Sequence, residues 1–357
     1  MITMLIVLAP IVFSQDQEPE NTSNDPTSFD NWIENSMKTF YERKDQIRQG
    51  EDVVLDDALA QAEKSSKVIK VRKDGTGDFK TVADAIASIP SGNKQRIILW
   101  IGPGEYAEKI TVDKSKPFLT FYGSPENMPI LSSHGASASV TVESDYFMAA
   151  NIIFKNSAPE TDGKGGGQGG EAAAMRISGD KAVFYSCNFT GSDKSLYDDK
   201  GRHLFKDCYI ESTLNFISGN GKSLYMFTEI HSKAKTNALI TSSTKEKENE
   251  DTGYCFVYCN FTGSGHIYLG QEWRAKGRVI FANADIGLQI SPQGSSDGGK
   301  TTDEKTIYYA EYNCSGPGSC ADKPPPYVRM LSDAEAQPFV SMTYVHGSTW
   351  LLPPPIL

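Results

Sequence analysis

From position 68 onward, short apolar runs alternate with Gly, Asn, Asp and Ser almost to the C-terminus. The runs at 68–71, 97–101, 118–122, 140–142, 182–185 and 279–282 have the length of strands and are bounded by turn formers. Such texture predicts many short strands joined by turns. Two stretches depart from it. Residues 30–62 carry helical spacing, with Trp32, Ile33, Met37, Phe40 and Tyr41 followed by Val54, Leu55, Ala58 and Leu59. Between Thr81 and Ile89, the side chains of Val82, Ala85, Ile86 and Ile89 share one helical face and Pro90 stops it, which predicts one helix there.

An internal repeat lies within the strand-rich part. Ser186-Cys187-Asn188-Phe189-Thr190-Gly191-Ser192 and Tyr258-Cys259-Asn260-Phe261-Thr262-Gly263-Ser264 are nearly identical. Ala150-Asn151-Ile152-Ile153, Asp207-Cys208-Tyr209-Ile210 and Phe227-Thr228-Glu229-Ile230 are related, and the starts recur about every 20 to 36 residues. In each piece, small or polar side chains alternate with Ile or Phe. That pattern predicts an all-β, single-domain parallel solenoid in which like residues stack from coil to coil and an apolar face points inward. The Gly-rich segment 162–170 and the charge run 244–251 read as loops. The Gly-x-Gly in the former lacks the strand-to-helix context of a phosphate site.

Charge narrows the function classes. The 357 residues hold 35 basic and 45 acidic side chains, a formal charge of −10. Neither nucleic acid nor an anionic membrane is an expected partner. No apolar run reaches the roughly 18 residues needed to span a bilayer. Residues 1–14 are almost wholly apolar and precede a polar stretch, the layout of a secretory signal peptide. Residues 15–67 then form an N-terminal polar and helical segment. The six cysteines are compatible with an oxidising compartment and leave their pairing open, and they form no zinc-spaced cluster with His. Cys187 and Cys208 could stack unbonded. Sequons start at Asn21, Asn188, Asn260 and Asn313.

Several strings, in order, resemble plant pectin methylesterases. They are Asp74-Gly75-Thr76-Gly77-Asp78-Phe79-Lys80-Thr81-Val82, Gly102-Pro103-Gly104-Glu105-Tyr106-Ala107-Glu108-Lys109, Arg176-Ile177-Ser178-Gly179-Asp180, Phe205-Lys206-Asp207-Cys208, Tyr268-Leu269-Gly270 and Trp350-Leu351-Leu352-Pro353-Pro354-Pro355. The resemblance covers 68–357. It implies a right-handed parallel β-helix with short flanking helices, secretion to the plant cell wall, and methyl-esterified homogalacturonan as the polymer engaged. It further implies a monomer, no cofactor and no metal, and small helical inhibitor proteins as a class of partner.

The family reaction hydrolyses the galacturonate methyl ester to pectate and methanol. A carboxylate attacks the carbonyl, an acid protonates the departing methoxide, and neutral donors face the developing oxyanion. The resemblance assigns these roles to strings like DFIFG, QDTLY, QAVAL and LGRPW. This chain departs from all four. The nucleophile position is Asn215 in Asn215-Phe216-Ile217-Ser218-Gly219, and an amide presents no anionic oxygen. The acid/base position is Lys194 in Asp193-Lys194-Ser195-Leu196-Tyr197. The two oxyanion positions hold Glu171 and Asp193, acceptors where donors are needed, and the arginine position holds Gln271. Activity is therefore expected to be weak or absent. The alternative is an active esterase whose acid/base set has been rearranged onto Glu171 and Asp193. Asp198 and Asp199 are expected on an exposed turn.

By the same resemblance, Ser139, Tyr197, Phe216 and Trp273 fall where substrate-contacting residues lie, with ordinary coil packing as the alternative for Tyr197 and Phe216, whereas Ser218 replaces an aromatic. A polygalacturonase or lyase on a similar solenoid is disfavoured, because Gly265-His266-Ile267 breaks the Gly-His-Gly such hydrolases need.

Overall fold

A computed structural model describes Lys38, Glu42, Arg43, Gln46 and residues 54–158, 172–191, 194–243, 250–270, 277–287, 308–320, 322, 324 and 328–355. The expected signal peptide, most of the N-terminal segment, the 162–170 loop, Asn21, Glu171, Asp193, Gln271 and Trp273 lie outside the described residues.

The strands form a right-handed parallel β-helix. One face is an eleven-stranded sheet running from Ser66–Val71 through Leu119–Tyr122, Ala182–Tyr185, Arg202–Lys206 and Lys222–Met226 to Val328–Met330. The other two faces are joined because Glu229–Ser243 is long enough to serve both. Its first part pairs with Tyr209–Ser212, its last part with Asn215–Gly219. Every strand pair is parallel, so residues at one coil position stack directly on the next, about 4.8 Å away.

The repeat seen in the sequence is the corner between the first and second faces. Asn151, Ser186, Asp207, Phe227, Tyr258, Asn283 and Asn313 all have φ between 48 and 57°. Each turns the chain inward, so the following residue (Ile152, Cys187, Cys208, Thr228, Cys259, Ala284 or Cys314) points into the helix. The corner amides are satisfied by the next coil: Ser186 N–H donates to Lys206 O at 3.0 Å and Asp207 N–H to Met226 O at 3.0 Å. A left-handed residue, a small inward one and an Asn-Phe-Thr strand thus make one coil corner, which is why the two strings match.

Inside, in-register stacking builds an aromatic column. Phe184, Phe205, Tyr225, Phe256 and Phe281 follow one another at centroid distances of 4.7, 4.6, 4.8 and 5.3 Å, all nearly parallel. The outer side of the eleven-stranded sheet is also apolar. Val183, Tyr185, Leu204, Leu224, Cys255 and Ile280 are covered by the C-terminal segment, whose Val345, Trp350, Leu351 and Leu352 are buried. Trp350 donates to Val345 O and Tyr185 to Leu352 O. The Pro-rich end is therefore a fixed cover rather than a loose tail.

The expected short helix is present as Val82–Ala87, capped by Thr81, whose hydroxyl accepts from Asp84 N–H. The N-terminal segment contributes Asp57–Glu63, which buries Leu59 and Ala62 under the same cover. Upstream, Arg43 donates to Gly347 O at 3.2 Å, so this segment also reaches the C-terminal cover.

All six cysteines are thiols. Cys187, Cys208 and Cys259 line the interior, whereas Cys255 faces the outer cover, so Cys255 and Cys259 do not share a side. Burial pushes the Cys187 and Cys259 thiols up to about 12. A thiol reagent at pH 8 is therefore expected to leave Cys187, Cys208, Cys255 and Cys259 unmodified in the folded protein and to label all six after unfolding. Mass spectrometry of labelled peptides checks this, and native labelling of Cys187 would contradict the burial.

Candidate active site

Two rows of side chains run across the third face. One row is Lys194, Asn215, Leu239 and Tyr268, paired coil to coil. The other is Arg176, Tyr197, Ser218 and Ser242. Lys194 and Asn215 open their strands, Lys194–Asp198 and Asn215–Gly219, and both are half-buried. The register sets the sequence-assigned nucleophile and acid/base positions side by side on successive coils.

In the second row, the Arg176 guanidinium lies 5.2 Å from the Tyr197 ring centroid, and its Nη2 is 2.8 Å from Asp199 Oδ2. Tyr197 is half-buried. Ser218 is buried, and its Oγ has no hydrogen-bond partner among the described residues. Beside Tyr197 the floor is thus small and polar, where an aromatic ring would give stacking area.

Three sequence expectations change. Phe216 is 1% exposed and belongs to the interior cluster, so it is a core ring and not a groove residue. The position that faces outward beside Tyr197 is Ser218, two residues on. Ser139 is fully buried, donates to Lys155 O at 2.7 Å and accepts from Ser133 N–H and Oγ, so its hydroxyl is committed within the wall. Asp198 is not on an exposed turn. It ends its strand at 0% exposure, bonded to His203 and Tyr225, while only Asp199 reaches the surface to pair with Arg176. Tyr197 lies in the second row and is half-buried. Arg176 belongs to the Arg176-Ile177-Ser178-Gly179-Asp180 string, and the resemblance gives it no role. Its signal was the coil spacing that sets it beside Tyr197.

Chemically, an amide at Asn215 donates and accepts hydrogen bonds but supplies no attacking anion. Among the described residues, no group of three His, Cys, Asp or Glu side chains is placed to hold a metal ion. No helix among them is long and apolar enough to cross a membrane.

Fold and site together define a parallel β-helix protein whose third face carries two rows of side chains registered across successive coils. The pectinesterase family model matches residues 68–348, and the chain belongs to that family. It is 46% identical over 294 residues to putative pectinesterase 63 of Arabidopsis thaliana, covering 80% of this chain and 86% of that protein. It is 42% identical over 363 residues to pectinesterase 2 of Olea europaea, covering 99% and 96%. Among solved structures, carrot pectin methylesterase superposes with a TM-score of 0.71 at 25% identity, covering 81% of this chain and 97% of that one.

Proposed function

We propose that this protein is a secreted, cell-wall member of the pectinesterase family that binds methyl-esterified homogalacturonan and hydrolyses its methyl esters weakly or not at all. Asn215 carries this reading. It stands where the family resemblance places the attacking carboxylate, registered between Lys194 and Leu239. Lys194 on the neighbouring coil is the second support, because an ammonium there replaces the group that protonates methoxide. Tyr197 and Arg176 supply the face on which a sugar ring rests. The test is methanol release from highly methylated pectin by the purified protein. Turnover comparable to ordinary pectinesterases would overturn the reading and favour the rearranged set of Glu171 and Asp193.

Charge sets the binding preference. With a formal charge of −10, the protein as a whole repels fully de-esterified pectin, a polyanion, but not methylated stretches. Retention on immobilised pectins of graded methylation is expected to rise with methylation at low salt. The difference should shrink as salt screens the repulsion. Tighter binding to the fully de-esterified polymer would contradict it. Small helical inhibitor proteins are a further class of partner for this fold face.

A further inference from the structure

Directly behind the groove floor, the helix interior holds a polar cluster that no step of ester hydrolysis uses. Asp198 is completely buried. Its Oδ1 lies 2.6 Å from His203 Nδ1, and its Oδ2 accepts from the Tyr225 hydroxyl at 2.7 Å. His203 is also completely buried, and its Nε2 lies 2.9 Å from the Gly179 carbonyl. Both ring nitrogens therefore face oxygens that accept. With Asp198 ionised, a neutral imidazole has one N–H and leaves one of these contacts without a proton, whereas a neutral ring is satisfied only if Asp198 itself carries the proton. A doubly protonated ring beside a carboxylate satisfies every atom.

We propose that Asp198 and His203 are a buried carboxylate–imidazolium pair that positions the groove-floor strand Lys194–Asp198 and comes apart at alkaline pH. The chain is shaped around this carboxylate. A Cβ at Gly221 would sit 2.2 Å from Asp198 Oδ1, and one at Gly219, where φ is +122°, would sit 2.1 Å from Asp198 O. The Asp198 carbonyl also accepts from Gly221 N–H at 3.0 Å. Tyr197, an aromatic of the second row, is the residue immediately before this anchor. Asp198 thus acts on the groove through the strand end it fixes.

The groups around His203 are few. Asp198 comes from the strand before it, and Asp180 from the turn above, itself paired with Arg202. Ser223 Oγ at 3.4 Å and Tyr225 come from the next coil, and Phe205 meets the ring edge-on. Burial opposes the charge on His203, but the Asp198 charge and hydrogen bond, with the Gly179 carbonyl, hold its pKa above the ordinary value. A histidine raised on folding contributes stability that is fully present below about pH 6.5 and is lost as pH rises through the folded pKa.

The experiment is NMR of the full chain labelled with 15N at histidine. At pH 7, one of the five histidines is expected to show protons on both ring nitrogens, exchanging slowly because the ring is buried. Its absence in His203→Gln assigns it. A single ring proton on this residue at pH 7 overturns the pair. Should His203→Gln fail to fold, slow exchange alone identifies the residue, since His134, His231, His266 and His346 all reach solvent. Between pH 6.5 and 10, the melting temperature of the native protein is expected to fall more steeply than that of His203→Gln, and parallel curves overturn the alkaline release. The positioning role rests on the proposed pectin groove. Retention on methylated pectin should decline in the pH window where His203 loses its proton, and retention unchanged through that window overturns the positioning role. No retention at any pH would instead reject the groove, leaving the pair to be judged by its spectrum.

Discussion

Replacing Asn215 and Lys194 together by aspartate is expected to raise methanol release from highly methylated pectin at least about 10²-fold over the native chain. Loss of a nucleophile costs on the order of 10⁴-fold or more in turnover, so restoring one has ample range to show. Asn215→Asp is isosteric, and position 215 is half-buried at a strand start, so the new carboxylate keeps partial access to water. Lys194 pairs with Asn215 on the adjacent coil, about 4.8 Å away along the helix axis. Two carboxylates at that spacing cannot both ionise freely, so one pKa rises and the other stays low. That split supplies an acid for the methoxide and an anion for the attack. Asn215→Asp alone is expected to gain much less, because the Lys194 ammonium would pair with the new nucleophile and no acid would follow. Full family turnover is not expected from the double variant. Glu171 and Asp193 stay at the oxyanion positions and Gln271 at the arginine position, and the missing oxyanion donors hold the rate down by roughly 10²–10³. A double variant no faster than the native chain would sink the assignment of these two positions.

The solenoid was legible because its periodicity is written locally. The Ser186 and Tyr258 strings record the same corner, and the inward Phe and Cys follow from a left-handed residue just before them. The face that carries the site was legible only in part. Alternation says which residues share a side within a strand, yet it does not say where a strand leaves the preceding turn. The family resemblance sets Phe216 among the substrate-contacting residues, whereas the coil-to-coil register puts Ser218 beside Tyr197. Asp198 was illegible for a different reason. Asp198-Asp199-Lys200-Gly201 reads as a turn, and it is one from Asp199 onward. What allows the first aspartate to enter the core is His203, five positions on, and Tyr225, 27 positions on, one coil further. No local pattern connects these three residues. The pairing is a property of the register, as is the meeting of Arg176 with Tyr197.

Phe205→Ala is expected to destabilise the fold by about 3–5 kcal/mol, read from the shift of the urea unfolding midpoint. Phe205 is fully buried between Phe184 and Tyr225, nearly parallel to both, with Phe189 meeting its edge at 5.8 Å. Removing the ring opens a gap that the neighbours cannot close, because each is held at its own height by strand pairing above and below. The column would also lose two stacked contacts at once, and Tyr225, which bonds Asp198, would lose its support. The comparison is Phe227→Asn. Phe227 is also stacked, at 5.3 Å on Tyr258, but it is 43% exposed and sits at a corner with φ 50°. Asn tolerates that left-handed backbone, as Asn283 and Asn313 already do on later coils. Its effect is expected to stay within about 0.5 kcal/mol, the range of ordinary surface changes. Two rings from adjacent coils thus separate what the interior column contributes from what the corner tolerates. Equal losses at both positions would show that stacking as such, and not enclosure by the coils, holds the column together.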